Sequence, residues 1–462
     1  MNALTRYLTN KLYSSLRRAI VEGARWVWLG LPLTTHVRNM IRHRLFRNFP
    51  KVFGRMKGYR EWQLLNPPVS DRPTGQVAEA VADSAQRIIV VSHDAQAHGG
   101  QFLALGMVKS LVQELRFGVE VVLLLGGGRL KSDFEALAPV HQLNEFDSSV
   151  SDMKKLAQSL ARCGFTRAIV NTTAAGNIVP VFSDAGIDCI CLVHELPGVI
   201  RSHHLERQAG QIAASAKAVV FPAQAVADGF AQFARVDSAR QIIRPQGLYR
   251  NNKWRTRKEA ARAALGERLG LAPGTKIVLA VGYADHRKGV DLFVACALEI
   301  LTRRTDVDFI WVGHWDPAMH NAVETMLRDS PCKARIHFVG YEPDTAIYHA
   351  GADIFALTSR EDPFPNVVLE SFDAGVPIVA FSGTGGAASL VEQVGGLAVP
   401  AQDVAAFSAA ISRLLDEPGL AATLGNAAQE HVDRHFAFRA YLVELCRLLG
   451  ITQLRDQKSR AE

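Results

Sequence analysis

The chain has 462 residues, 48% of them hydrophobic and 21% charged, with a formal net charge of +7. This length is too great for one core and suits about three domain-sized pieces of ordinary globular composition. The charge is uneven: residues 1–60 hold 13 Lys and Arg against the single acid Glu22, so the remainder is slightly acidic. Such asymmetry predicts an electrostatic partner for the N-terminal arm, either an anionic membrane surface or a nucleic acid.

Arginines in the arm alternate with Trp26, Trp28, Phe46, Phe49, Phe53 and Trp62. This mixture suits a helix at a membrane interface, or a helical extension packed on the body with a solvated basic face. The run Trp26 to Leu33 falls far short of the roughly 20 apolar residues of a membrane span. Arginines interrupt every candidate signal-peptide core. Residues 66–80 carry three prolines and read as a linker, so 1–80 is taken as a basic, aromatic helical extension with its linker. The six cysteines are scattered and read as buried, reduced thiols of a cytoplasmic protein.

Residues 81–247 read as a first α/β domain. RIIVVSHD predicts a strand and AHGGQFLALGMVKSLVQEL a helix, with Phe102, Leu105, Met107, Val108 and Leu111 at helical spacing. Strands follow at VEVVLLLGGG, RAIVNTT, DCICLVHELPG and AKAVVFPAQ. A Pro- and Gly-bearing segment, IIRPQGLYR, marks the boundary. Residues 248–435 read as a second α/β domain, with strands at KIVLAVGYAD, VDFIWVGHW, ARIHFVGY, ADIFALTS and VPIVAFS. Residues from Asp403 to Leu449 look helical, and 436–462 is expected to be a closing helix and tail that crosses back to the first domain. Strands alternating with helices predict two tandem Rossmann-like, doubly wound parallel sheets facing a cleft, with ligands beyond the carboxyl ends of the strands.

The most informative stretch runs from Thr358 to Glu392. It sets Asp362 and Glu370 eight residues apart across a loop-to-helix junction, and a glycine loop, Gly383-Thr384-Gly385-Gly386, precedes a second helical run. Unpaired N–H groups at helix starts attract phosphate oxygens, and carboxylates accept hydrogen bonds from sugar hydroxyls. Pro365 suits the first helical turn, which would free the amides of Asn366, Val367 and Val368, with Glu370 one turn further on.

This pattern resembles the retaining glycosyltransferases of family 4, which have the GT-B arrangement. The likeness runs over roughly 88–449 and is strongest over 340–392. The family's E-x7-E signature stands here as D-x7-E, Asp362 to Glu370, with Glu361 one place ahead. The resemblance implies that Asp362 lies near the donor sugar and that Glu370 holds the nucleotide ribose. It places Lys288, in HRKGVDLF, on the diphosphate. An Arg common in the family after the glycine of that strand is missing, since Gly282-Tyr283 stands there, and Arg287 is the candidate substitute. Gly99 and Gly100 would approach the donor phosphates. Asp94, Gln101, His194 and Glu195 would face the acceptor side, with His194 near the reacting sugar. Backbone from Val339 to Tyr341 would meet the base, and Phe364 and Asn366 would shape specificity. The catalytic set is therefore Asp362, His194 and Lys288.

The activity implied is transfer of a sugar from a nucleoside-diphosphate donor to an acceptor hydroxyl, with retention and without a metal or other cofactor. The basic arm fits a saccharide or lipid-linked acceptor in cell-surface polysaccharide or glycolipid synthesis, and a cytoplasmic enzyme that the arm can hold at the cytoplasmic face of a membrane. Other readings are a non-catalytic nucleotide-sugar-binding or scaffold protein, a sugar-nucleotide epimerase, or a nucleic-acid binder. The last is disfavoured because the basic residues are confined to the arm. GTGGAA mimics a dinucleotide fingerprint but comes late in its domain. His431 and His435 lack the glutamate of a zinc helix.

Overall fold

The computed structural model describes residues 86–143 and 150–452. The basic extension and linker expected over 1–80 lie outside the described residues. Among the described residues thirteen strands form two sheets. The first contains β1 (Arg87–Ser92), β2 (Gly118–Leu123), β3 (Val140–Gln142), β4 (Arg167–Asn171), β5 (Asp188–Leu192), β6 (Ala218–Phe221) and β7 (Gln241–Ile243). The second contains β8 (Lys276–Val281), β9 (Val307–Val312), β10 (Ile336–Gly340), β11 (Ile354–Leu357), β12 (Ile378–Phe381) and β13 (Gly396–Val399).

Every strand pair is parallel, in the orders β3-β2-β1-β4-β5-β6-β7 and β10-β9-β8-β11-β12-β13. The Val- and Ile-rich runs read from the sequence are the central strands, buried on both faces as parallel sheets require, except β10, an edge strand that is mostly half-buried. Three strands were missing from that reading: β3, β7 and β13. Each has only three or four residues and lies at a sheet edge, where one neighbour suffices and a long apolar run is not needed.

Strand order reverses between β1 and β4 in the first sheet, and between β8 and β11 in the second. These are the switch points at which helices diverge to opposite faces and leave a crevice. The chain leaves the first sheet after Ile243. It crosses back where Leu248 N–H donates to Phe436 O (2.8 Å) and Leu248 bridges Ala437. The final helix, Phe438–Leu448, buries Phe438, Tyr441, Leu442, Leu445 and Cys446 in the core of the first sheet.

The cysteines are free. Burial pushes the thiols of Cys189, Cys191, Cys296 and Cys446 up, so they stay protonated. Cys163, expected inside, is exposed and Cys332 is half-buried. No helix among the described residues is long and apolar enough to cross a membrane.

Candidate functional site

In the second lobe, Lys288 follows β8 and Asp362 follows β11, so both stand at the switch point. Lys288 Nζ donates to Asp362 Oδ2, and Ser359 Oγ donates to the same oxygen (3.0 Å). Asp362 is buried at 4% exposure, so its charge needs these partners. Lys288 N–H in turn donates to Asp285 Oδ1 (2.7 Å), which fixes the turn that carries the ammonium.

Asp362 opens the loop to the Asn366–Asp373 helix. Pro365 is the cap residue there (φ −72°, ψ 136°) and not, as expected, a residue of the first helical turn. Its carbonyl accepts from Val368 N–H (3.1 Å), so that amide is not free for a ligand. The amides of Asn366 and Val367 are those that open the helix. Asn366 Oδ1 accepts from Gln246 Nε2 (3.2 Å), and its Nδ2 reaches Gly99 O across the cleft (3.5 Å). Glu370, on the same helix, lies 3.3 Å from the Nε2 of buried His349. The Tyr249 hydroxyl is pushed above the usual phenol range first by burial and then by the Glu370 charge.

Several expected donor contacts take other roles. Phe364 is buried at 5% exposure and stacks on Phe436 (6.1 Å), because an apolar ring at a loop-to-helix junction finds the core first. Arg287 Nη1 donates to Glu361 O (3.0 Å) and braces the loop. Glu361 accepts from the Gly198 N–H of the first lobe (3.1 Å). The glycine loop is laced to the Asp362 loop: Asp362 N–H donates to Thr384 O (2.7 Å), and Gly386 N–H donates to Pro363 O (2.8 Å). Thr384 Oγ1 donates to Phe381 O (2.9 Å). A Cβ on Gly385 would lie 1.5 Å from Asp362 O, so this glycine permits a close backbone approach. Around Gly383 a Cβ would meet nothing within 4 Å.

Gly282 and Gly313 directly follow β8 and β9, and β10 ends in Gly340, all three at positive φ. Just beyond, Tyr341 stacks on His314 (5.2 Å) and carries Arg129 over its ring (5.4 Å). A cavity of about 480 Å³ opens beside Tyr341, with Phe102, Leu105 and Arg250 among its walls.

In the first lobe, the switch point gathers His93, Asp94, Gln101, Asn171, Thr172 and His194. Gln101 is 2% exposed; its Nε2 donates to Asp94 Oδ1 (2.5 Å) and lies 2.9 Å from His93 Nε2. His93 Nδ1 is 3.1 Å from Thr172 Oγ1. Thr172 sits at φ 78°, a strained conformation for a β-branched residue and one that clusters at functional sites. Asn171 Nδ2 donates to Gly100 O (2.8 Å), and its Oδ1 is 3.0 Å from His194 Nε2. Gly99 faces open space. Burial holds the His194 imidazole below its ordinary range, with Glu195 opposing. Glu195 itself accepts from Thr173 N–H (3.0 Å), Thr173 Oγ1 (2.6 Å) and His194 N–H (3.1 Å), so it ties β4 to β5 and does not project to a ligand.

His93, Asn171, Thr172, Gly198 and His349 were not singled out from the sequence. His93 stands in a strand end (SHD) read as cleft-facing, whereas Asn171 and Thr172 close the strand RAIVNTT, whose end was not so read. Gly198 and His349 carry no spacing signal. Among the described residues no group of three or more His, Cys, Asp or Glu side chains is set to hold a metal ion.

Residues 275–417 match the family described as "Glycosyl transferases group 1". The lipopolysaccharide core biosynthesis mannosyltransferase LpsB of Rhizobium meliloti (strain 1021) is 34% identical over 166 residues, 34% of this chain and 47% of that protein. The mannosyltransferase LpcC of Rhizobium leguminosarum bv. viciae is 31% identical over 169 residues, 36% of this chain and 48% of that protein. The chain thus spans about half the length of the curated relatives it matches. Among solved structures, Anabaena Alr3699/HepE in complex with UDP superposes with a TM-score of 0.69 at 19% identity, covering 79% of this chain and 100% of that one. WaaG, a glycosyltransferase involved in lipopolysaccharide biosynthesis, gives 0.60 at 15% identity, covering 77% and 98%. The two lobes therefore have the GT-B fold of glycosyltransferases, and the second lobe carries the match to the group 1 family.

Proposed function

We propose that the protein is a retaining glycosyltransferase of the family 4 type, moving a sugar from a nucleoside-diphosphate donor to an acceptor hydroxyl in glycolipid or cell-surface polysaccharide synthesis. The observation that carries this is the meeting of Lys288 and Asp362 at the second lobe's switch point, ahead of the helix that bears Glu370. Lys288 and the opening amides of that helix would neutralise the diphosphate as it leaves. Asp362 would hold the ammonium in place and accept hydroxyls of the sugar. Glu370 would take the ribose, and the backbone before Tyr341 the base. The His194 and Asp94–Gln101 cluster would line the acceptor side. In a front-face transfer the bond from the anomeric carbon to the phosphate oxygen breaks and the acceptor oxygen bonds on the same face. The acceptor proton passes to the departing phosphate. The protein's part is then positioning and electrostatics, with no metal required.

The relatives narrow the first candidates. Two are named as lipopolysaccharide core mannosyltransferases, one Corynebacterium glutamicum relative is named as GDP-mannose-dependent, and the Anabaena protein was solved with UDP-glucose. A thermal-shift screen of GDP-mannose, UDP-glucose and related donors comes first, because a ligand of the folded state raises its melting point. Nucleoside-diphosphate release with a lipopolysaccharide-core acceptor then tests transfer, and NMR of the product tests retention. No shift with any donor and no release would overturn the proposal. The basic arm would hold the enzyme at anionic lipid. Co-sedimentation with phosphatidylserine vesicles at low and high salt, with and without residues 1–60, tests this; equal sedimentation would refute it.

A further inference from the structure

We infer that His349 is a positioning residue for Glu370, fixing the carboxylate rotamer that receives the donor's ribose hydroxyls. This rests on the role given to Glu370 above.

His349 belongs to the Ala346–Gly351 helix and is fully buried at 0% exposure. Its ring stacks on Phe355 at 5.6 Å and 18°, which fixes the imidazole plane. Nδ1 lies 2.9 Å from Ser371 Oγ, and Nε2 lies 3.3 Å from Glu370 Oε2. Both nitrogens thus face side chains of the Asn366–Asp373 helix. A buried imidazole needs a partner for each nitrogen. Nε2 makes no regular hydrogen bond, so the Glu370 carboxylate is the group it faces.

A carboxylate only accepts, so the nitrogen facing it must carry the proton. Nδ1 is then the acceptor for the Ser371 hydroxyl. Ser371 thereby sets the tautomer, Phe355 sets the plane, and the Nε2–H is held beside Oε2 at an N···O distance of 3.3 Å, a close dipole on the protein side of the carboxylate and not a regular hydrogen bond. The Glu370 charge is also felt by the Tyr249 hydroxyl and by Asp373, and it pushes both upward after burial does. A carboxylate that must meet two vicinal hydroxyls works best when its rotamer is fixed beforehand by such an outer partner. A histidine serving only as core filler would be replaceable by an apolar ring of similar size without any effect on ligand choice.

The test compares a nucleoside diphosphate, UDP or GDP according to which binds more tightly, with its 2′,3′-dideoxy form. Binding is measured by titration calorimetry on the full chain. Wild type should prefer the hydroxyl-bearing form by roughly tenfold or more, the scale of charge-assisted hydrogen bonds. E370Q should remove most of that preference. H349F should lower it by about fivefold while leaving the dideoxy form within about twofold of wild type. H349Q, whose amide can still donate to the carboxylate, should retain most of it, and H349F combined with E370Q should be no worse than E370Q. If H349F does not fold, H349N, whose amide is too short to reach, takes its place. Equal weakening of both nucleotides, or no change, would overturn the inference while the site reading stands. An E370Q variant with undiminished preference for the hydroxyls would instead take down the ribose assignment and this inference with it.

Discussion

Glu361, in the second lobe, accepts a hydrogen bond from the backbone N–H of Gly198 in the first (3.1 Å). Glu361 directly precedes Asp362, and Gly198 lies four residues after His194, so this contact joins the two halves of the candidate site. A Cβ on residue 198 would lie 2.3 Å from Glu361 Oε2. Gly198→Ala should therefore push the Glu361 carboxylate aside and lose this cross-lobe hydrogen bond, cutting turnover by up to roughly tenfold. Combining it with Glu361→Ala, which clears the space, should restore part of the loss. A Gly198→Ala enzyme with wild-type kcat would show that the contact does not serve the reaction.

Lys288→Ala and Glu370→Gln should each lower turnover by about 10²-fold or more, in the range of single electrostatic donors. Removing the lysine also leaves Asp362 buried without its cation, so that variant should melt lower as well. Glu370→Gln, on a half-buried side chain, should melt near wild type. Steady-state kinetics and melting curves on the same preparations separate the two effects.

His194 gives a pH dependence of defined sign. In the folded protein its pKa is lowered, chiefly by burial, whereas the unfolded chain takes up the proton near about pH 6.5. As pH falls through that value the unfolded state binds a proton that the folded state resists, so stability drops. The contribution is complete above about pH 6.5 and is lost below it. His194→Gln, which can keep a hydrogen bond to Asn171, should flatten the fall in melting temperature between pH 7.5 and 5.0. An unchanged slope would show that His194 does not contribute.

Gly385 sits at φ 146°, and a Cβ there would run into the Asp362 carbonyl. Gly385→Ala should cost roughly 2 kcal/mol or more and disturb Asp362, lowering activity along with stability. Gly383→Ala, at φ 73° with open space around it, should cost only the left-handed backbone, about 1 kcal/mol, with activity retained. Urea unfolding of both variants checks the contrast.

The legible parts of the fold were those where one residue type dictates one environment. Runs such as RIIVV and KIVLAV are short, β-branched and bounded by polar turns, which favours central parallel strands, and the turns after the strands place Asp94, Lys288 and Asp362 at the switch points. In the glycine loop only one amide departs from the phosphate cradle its spacing suggested: the Gly386 N–H donates to Pro363 O and supports the Asp362 loop. Phe364 misled, since sequence position cannot tell a ring lining a cleft from one turned inward onto Phe436. Gly198 and His349 could not be found without the fold. One matters because of a carboxylate 163 residues away, the other because two helices meet.

The polypeptide passes between the lobes twice, near Leu248 and near Ala437, and the two passages are pinned side by side. Parallel tethers fastened together behave as a door hinge. They allow swinging about the line that joins them and resist screw-like twisting. Donor entry would thus require Glu361 and Gly198 to part like the free edge of that door, and every return would bring the same pair of atoms back into register.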